Sequence, residues 1–265
     1  MNTRRSRLLI IWIAVAVLGA IGLVWSVVWW LWGAEGQQDD APRLEPSVTA
    51  GPPVPYRRLL TDSTVIGNFC SHFGANWLLG VVLTWLPVYL QKGLGYAHET
   101  SGRMFALFIL ITMPLSLGLA WASQRLRARG VASRQARGVF SGAVLLLAGS
   151  LVAAAALMDL PGQVRFVLLA VGTGLTSVVF SIGPAILGEI VPARQRGAVL
   201  SMAVVFTSLA GFLAPLATGA LLQRTGAVGG TGYAQAFLLA GGVVGMCGLV
   251  LLVSAHPERS RRRLT

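Results

Sequence analysis

Three polar residues, Asn68, His72 and Asn76, stand at intervals of four inside a long apolar run. Residues four apart share one face of an α-helix. Polar side chains are costly to bury in hydrocarbon unless they find a partner, so such positions are natural candidates for function. The two amides can hydrogen-bond a solute, and the imidazole changes charge near neutral pH. The spacing therefore predicts a polar stripe that lines a cavity and binds substrate.

Two other interpretations of this stripe stay open. The three side chains could bond to neighbouring helices, or they could lie near the membrane surface. A role for His72 as an obligatory proton carrier is a separate hypothesis, which requires more than a place in the cavity wall.

A second set of polar residues, Thr173, Ser177 and Ser181, repeats the four-residue spacing further along the chain. Hydroxyls in apolar helices commonly bond back to their own main chain or lie where two helices approach closely. Contact with the substrate is the functional alternative. We include the three residues among the predicted substrate-binding residues.

A short charged turn separates two of the apolar runs. It contains Glu189, Pro192, Arg194, Arg196 and Gly197. The acid is expected to form an interfacial ion pair with the two arginines beside it and so to hold the turn. A transport carboxylate is the alternative role for this acid.

Apolar runs long enough to cross a bilayer recur along the chain, since a spanning helix needs roughly 20 residues. They predict an all-α membrane protein, a polytopic bundle of about seven transmembrane helices. Residues 33–63, with five prolines, are predicted to be a cytoplasmic linker. Residues 255–265 are predicted to be a basic cytoplasmic tail. The predicted spans are residues 8–32, 64–90, 103–123, 138–158, 165–188, 198–222 and 233–254.

The composition excludes several classes of protein. Only 11% of the residues are charged, against about 25% in soluble domains. The net charge of +12 comes from arginines in short gaps between apolar runs, so it predicts membrane topology and no nucleic-acid partner. Cys70 and Cys247 lie inside apolar runs and are expected to be buried thiols. We find no metal-ligand cluster, phosphate-binding loop or nucleophile motif, so we predict no enzyme activity, no cofactor and no metal.

The distribution of basic residues predicts the orientation. Counted over alternating segments, one side of the membrane has fourteen Lys and Arg and the other has seven. Because cytoplasmic loops carry the excess, the C-terminus is predicted to be cytoplasmic and the N-terminus external. The N-terminal arginines Arg4, Arg5 and Arg7 oppose this assignment. They would fit it if residue 1 were not the true start of the folding unit.

Four sequence motifs resemble those of the major facilitator superfamily of transporters. Glu189–Gly197 resembles the turn E-x-x-P-x-x-x-R-G, and Pro215–Gly226 resembles the run P-x-x-x-G…D-x-T-G with Gln223 in place of the aspartate. Trp85–Leu90 resembles W-L-P-x-Y-L of the anion:cation symporter branch. Gln124–Arg129 is a degraded form of the loop D-R-x-x-R-R, without its acid.

The resemblance implies the C-terminal half of such a transporter, residues 64–254, preceded by the last helix of the N-terminal half. Each half of these transporters consists of two inverted three-helix repeats, and the substrate binds near the membrane midplane between the halves. The resemblance implies a small organic anion moved with a proton or another cation by alternating access in a bacterial inner membrane. The expected partners are the lipid bilayer and either a missing N-terminal half or a second copy of the chain.

Two rival interpretations remain beside a transporter. One is a non-transporting membrane protein, either an inactive remnant or an accessory subunit that needs a partner half. The other is a membrane-bound enzyme, which would need a convergent acid, base or metal set inside the bilayer. The resemblance also implies that the anion-binding arginines lie largely in the other half. Consistent with this, no Arg or Lys stands inside an apolar run here.

Overall fold

The structure, a computed structural model, describes residues 3–33, 54–225 and 231–264; within the first range, side chains are described for residues 16, 17 and 19–33. All regular elements in these ranges are helical. They are α1 (Thr3–Trp32), α2 (Tyr56–Leu60), α3 (Ser63–Val88), α4 (His98–Ala128), α5 (Phe140–Leu157), α6 (Gly162–Thr176), α7 (Val178–Ile190), α8 (Ala193–Thr225), α9 (Thr231–Ser254) and α10 (Pro257–Leu264), with π-helical turns at Tyr89–Gly93 and Arg134–Val139.

Six helical segments of the described part are long and apolar enough to cross a membrane. They match the six predicted spans between residues 64 and 254, and most of them extend a few residues beyond the predicted bounds. The prediction of an all-α polytopic membrane protein is confirmed. The six segments are Ser63–Gly93, His98–Ala128, Arg134–Leu157, Gly162–Ile190, Ala193–Thr225 and Thr231–Ser254.

The first predicted span, residues 8–32, coincides with α1. Among its described residues, the apolar helix Gly19–Trp32 is shorter than a bilayer crossing, so this span stays a prediction. The helix belongs to one compact unit, Met1–Thr49, and residues Ala50–Thr265 form another. All the predicted site residues lie in the second unit.

Helices α5 and α9 pack main chain against main chain. A Cβ atom added to Gly149 would lie 2.6 Å from the carbonyl oxygen of Gly241, and one added to Gly248 would lie 2.9 Å from the Leu146 nitrogen. Small residues at such crossings are typical of helices that pack within a membrane. Helix α3 packs against both α8 and α9 and is the central helix of the bundle.

The predicted fifth span consists of two helices that meet at Ser177. The main-chain hydrogen-bond pattern changes there. Ser177 N bonds to Gly174 O at 3.2 Å, and Phe180 N bonds to Ser177 O at 3.1 Å. Such bonds reach back three residues in place of four, as in a 3₁₀ turn. The two helices together form one membrane-spanning segment, Gly162–Ile190.

The residues predicted to be a basic tail form helix α10, which packs onto the start of α3. The Ser260 hydroxyl donates to Asp62 Oδ1 at 2.8 Å and lies 2.7 Å from the Thr64 hydroxyl. Asp62 also caps α3 by accepting from the Thr64 main-chain N–H at 2.9 Å. Leu264 is buried in an apolar cluster with Leu59 and residues of α3, α7 and α8. Helix α10 therefore packs against the bundle through Ser260 and Leu264.

Candidate functional site

Asn68 and His72 lie buried where α3 faces α7. The Asn68 amide nitrogen donates to the Gly183 carbonyl oxygen at 3.1 Å. His72 Nδ1 lies 2.9 Å from the Asn68 carbonyl oxygen. Because a carbonyl only accepts, Nδ1 carries a proton in this contact, and in the neutral imidazole Nε2 is then left as an acceptor. Asn68 Oδ1 is buried and has no described hydrogen-bond partner.

A glycine makes this contact between α3 and α7 possible. A Cβ atom at Gly183 would overlap the His72 ring, and it would lie 3.1 Å from the Asn68 amide nitrogen. The ring of His72 also meets Phe180 edge-on, with centroids 5.9 Å apart. Both polar side chains are thus held against one turn of α7.

Asn76, the third member of the predicted stripe, reaches a different helix. Its amide donates to the Thr207 carbonyl oxygen of α8. Further along the same contact, the Trp85 indole donates to the Pro215 carbonyl oxygen at 3.2 Å. Asn68 and His72 therefore contact α7, whereas Asn76 contacts α8. All three side chains contact main-chain atoms of the bundle, and their role in substrate binding stays a prediction.

The three hydroxyl residues of the second set lie in different surroundings. Thr173 is buried, and its hydroxyl has no described partner. The Ser177 hydroxyl donates to its own helix, to Gly174 O at 2.6 Å. Ser181 is exposed and lines a cavity. The structure does not bring these residues together, and substrate contact stays a prediction for each.

The cavity beside Ser181, called here the α4–α7 cavity, has a volume of about 220 Å³. It lies between the last turns of α4, the π-helical turn before α5, and α7. Two guanidinium groups, an amide and two hydroxyls contribute to its wall, together with three apolar residues. Its lining residues are Ala120, Ser123, Gln124, Arg127, Arg137, Ser181, Ile182 and Ala185.

Glu189 of the predicted turn pairs with Arg137, which corrects the expected pairing. Its Oε2 atom accepts from Arg137 Nη1 at 2.8 Å and from the Ser133 hydroxyl at 2.6 Å. Arg194 and Arg196, the expected partners, are exposed. They lie in the first turn of α8, whereas Glu189 lies in the last turn of α7 and faces the segment before α5. Adjacency in sequence therefore misidentified the ion pair.

The other residues of this turn connect it to the rest of the bundle. Pro192 lies between α7 and α8, and Gly197 has open space around it. Gln195 is buried. Its side-chain nitrogen donates to the Val54 carbonyl oxygen at 2.7 Å, and its side-chain oxygen accepts from the Val54 N–H at 3.0 Å. Gln195 was not among the residues predicted from the sequence. Its position inside the charged turn was the one signal that could have indicated it.

Arg127, Arg137 and Gln124 were also absent from the predicted site. The basic residues between α4 and α5 were assigned to membrane topology alone. The available signal was the degraded loop motif Gln124–Arg129, which places an amide and an arginine three residues apart on the end of a helix. Among the described residues, no cluster of His, Cys, Asp and Glu could hold a metal ion.

The geometry thus defines a multi-pass helical membrane protein with a buried amide–imidazole pair and an arginine-lined cavity. No family model matches the chain. It is 28% identical over 247 residues to the hexuronate transporter of Bacillus subtilis, covering 89% of this chain and 56% of that protein. It is 27% identical over 264 residues to the probable sulfoacetate transporter SauU of Cupriavidus necator, covering 90% and 56% respectively.

A third relative comes from an animal. The chain is 23% identical over 263 residues to a putative inorganic phosphate cotransporter of Drosophila melanogaster, covering 92% of this chain and 48% of that protein. The chain therefore spans about half the length of these curated relatives. Since the relatives are named transporters of hexuronate, phosphate and other anions, the resemblance to the major facilitator superfamily is confirmed.

Proposed function

We propose that this chain forms the C-terminal half, with one additional helix, of a secondary active transporter of small organic anions. The observation that carries the proposal is the shared chemistry of the relatives' named solutes. Hexuronate, sulfoacetate and phosphate are small, water-soluble oxyanions. A bilayer excludes such solutes because their charge is costly to bury.

Transport by this proposal proceeds by alternating access. Two six-helix halves rock about a substrate near the midplane. The half described here supplies one wall. The other wall comes from a second half in the same polypeptide, in a separate polypeptide or in a second copy of this chain. The proposed location is the bacterial inner membrane, with the C-terminus in the cytoplasm, as the distribution of arginines favours.

Asn68 and His72 are the proposed link between transport and the coupling ion. The free acceptor on the imidazole is Nε2, because Nδ1 lies within hydrogen-bond distance of the Asn68 carbonyl oxygen. A proton taken up at Nε2 would place a charge beside α7 at Gly183 and Phe180. Such a charge favours an arrangement of the bundle in which water or an anion reaches the ring. Thr173, Ser177 and Asn76 remain proposed substrate contacts.

An uptake assay tests the proposal. The full native gene product is reconstituted in proteoliposomes, and uptake of radiolabelled D-glucuronate is measured with and without an inward proton gradient. We expect saturable uptake that the gradient accelerates. His72→Gln should remove the acceleration, whereas His98→Gln, an exposed histidine at the start of α4, should preserve it. Equal acceleration in the His72 variant would remove His72 from the coupling mechanism.

The competing function is that of a non-transporting membrane protein, either a remnant or an accessory subunit. We consider it because the chain matches only about half the length of its relatives. A tag on the C-terminus at the chromosomal locus gives the size of the native product. A band near twice 28.0 kDa supports a complete two-half transporter. A band at the mass of this chain, together with no uptake of glucuronate, phosphate or sulfoacetate alone or beside a partner half, would establish the competing function.

A further inference from the structure

We propose that the α4–α7 cavity is a peripheral site, at the end of α4, that binds the anionic group of the solute, a carboxylate or another oxyanion, outside the midplane site between the two halves. This inference rests on the proposed function, and it adds an anion contact to the substrate site between the halves and to the Asn68–His72 pair proposed for the coupling ion. From the sequence, we expected the anion-binding arginines in the other half of the transporter. The cavity supplies two arginines in this half.

The wall of the cavity offers hydrogen-bond donors and no carboxylate. Arg127 and Arg137 contribute guanidinium groups, Gln124 an amide and Ser181 a hydroxyl. Guanidinium groups bind carboxylate and phosphate through paired N–H donors. About 10–15 Å³ of such cavity volume holds one water molecule, so a cavity of about 220 Å³ has room for a small organic anion.

Each of the two arginines donates hydrogen bonds to the protein through one guanidinium nitrogen, Nη1. Arg137 Nη1 donates to Glu189 at 2.8 Å and to the Ala185 carbonyl oxygen at 3.2 Å. Arg127 Nη1 donates to the Val131 carbonyl oxygen at 3.1 Å. The other guanidinium nitrogens have no described hydrogen-bond partner. Prior anchoring of this kind lowers the entropy cost of binding a ligand.

The local charge balance favours an anion. Glu189 offsets the charge of Arg137 but does not line the cavity. Arg127 has no described carboxylate partner, and it is an exposed residue that lines the cavity. One positive charge of the wall is therefore not neutralised by any described acid. That charge attracts an oxyanion from water.

Helix α7 connects this cavity with the amide–imidazole pair. Phe180 and Gly183 contact His72 on one side of the helix. Ser181, Ile182 and Ala185 line the cavity on the other side. An anion in the cavity and a proton on His72 would act on the same two turns of α7. The proposal therefore places solute and coupling ion on opposite faces of one helix.

Binding of D-glucuronate to the purified full chain, measured by calorimetry in phosphatidylcholine nanodiscs, tests the site. Arg127→Gln removes the unneutralised charge, and we expect binding to weaken by about tenfold or more, as for the loss of a hydrogen bond to a charged group. Ser181→Leu, which fills the cavity from an exposed position, should also abolish binding. Arg129→Gln is the matched control, because Arg129 is exposed in the same loop but does not line the cavity.

Three results would overturn the inference. They are no saturable binding of glucuronate or inorganic phosphate to the unaltered chain, equal weakening by Arg127→Gln and Arg129→Gln, and unaltered binding in Ser181→Leu. Equal weakening would indicate general attraction by basic residues. Each variant must retain the unfolding midpoint of the unaltered chain, so that a loss of binding reports on the cavity.

The same oxyanion chemistry occurs in lipid headgroups, so the assay is repeated in nanodiscs that contain phosphatidylglycerol. Unaltered glucuronate affinity supports a site for the solute. Displacement of glucuronate by phosphatidylglycerol would assign the cavity to a headgroup and overturn its assignment to the solute. The uptake assay separates the two proposals. If Arg127→Gln leaves uptake unaffected, only the assignment of the cavity is refuted. If the chain binds glucuronate but shows no uptake, only the transport function is refuted.

Discussion

The imidazole of His72 on α3 lies directly against the main chain of Gly183 on α7, in a space that admits no side chain. A Cβ atom at residue 183 would overlap the ring. The same glycine accepts a hydrogen bond from Asn68 through its carbonyl oxygen at 3.1 Å. One glycine therefore positions both polar side chains of the proposed coupling site.

The change Gly183→Ala should disturb this contact. Either the ring or the helix must shift, and overpacking of this kind costs about 1–3 kcal/mol of the free energy of unfolding. Gly188→Ala on the same helix is the control, since the nearest atoms lie 3.8 Å from its added Cβ. It should be neutral or slightly stabilising, because alanine favours helix. Unfolding in mixed micelles by sodium dodecyl sulfate measures both variants, and equal effects would contradict the contact.

The indole of Trp85 should contribute more to stability than that of Trp77. Trp85 Nε1 donates to the Pro215 carbonyl oxygen at 3.2 Å, whereas the buried Trp77 Nε1 has no described partner. Replacement by phenylalanine leaves a smaller ring in both cases, so the difference isolates the N–H group. We expect Trp85→Phe to cost about 1 kcal/mol more than Trp77→Phe. The reverse order in the same unfolding assay would show that this hydrogen bond is not important.

The ion pair of Glu189 can be assigned by double-mutant cycles. The coupling energy between Glu189 and Arg137 should be about 1–3 kcal/mol, because the pair is partly buried and hydrogen-bonded. The coupling of Glu189 to Arg194 or to Arg196 should be close to zero, since both arginines are exposed. Each cycle uses glutamine substitutions and compares unfolding free energies. A large coupling to Arg194 would restore the pairing expected from the sequence.

The C-terminal helix α10 should loosen when the Ser260 hydroxyl is removed. Ser260→Ala deprives Asp62 of a hydrogen bond of 2.8 Å within a buried cluster, at a cost of about 1–3 kcal/mol. Hydrogen exchange of residues 257–264 should become correspondingly faster. Ser201→Ala is the control, because this exposed hydroxyl bonds only to Gly197 of its own helix in the described structure. Unchanged exchange in the Ser260 variant would mean that this hydrogen bond does not hold α10 in place.

The spanning segments could be predicted from the sequence because membrane thickness and hydropathy set them locally. Six of the predicted spans agree with the observed helices, and the polar positions within them were visible for the same reason. The loop motifs also indicated a resemblance to transporters that the relatives confirm. These signals reside in stretches of the chain that can be assessed one at a time.

The partners of the polar side chains were decided by tertiary structure. Asn68 and Asn76 share a helix face by their spacing, yet one bonds to α7 and the other to α8. Glu189 bonds to Arg137, a residue 52 positions away, and not to the arginines that follow it. The rotation of each helix about its axis depends on where glycines permit close approach, and a single segment contains no information about its neighbour's glycines.

The sequence by itself therefore determined the number and the approximate positions of the spanning helices in the described bundle, because burial in hydrocarbon is a property of each segment. Only the tertiary structure decided that Arg127, Arg137 and Ser181 share one cavity. Arg127 and Arg137 stand on neighbouring elements, the end of α4 and the π-helical turn before α5, whereas Ser181 stands much further along the chain on α7. Packing between helices brings these elements together, so that one face of α7 meets His72 and another lines the cavity with the arginines.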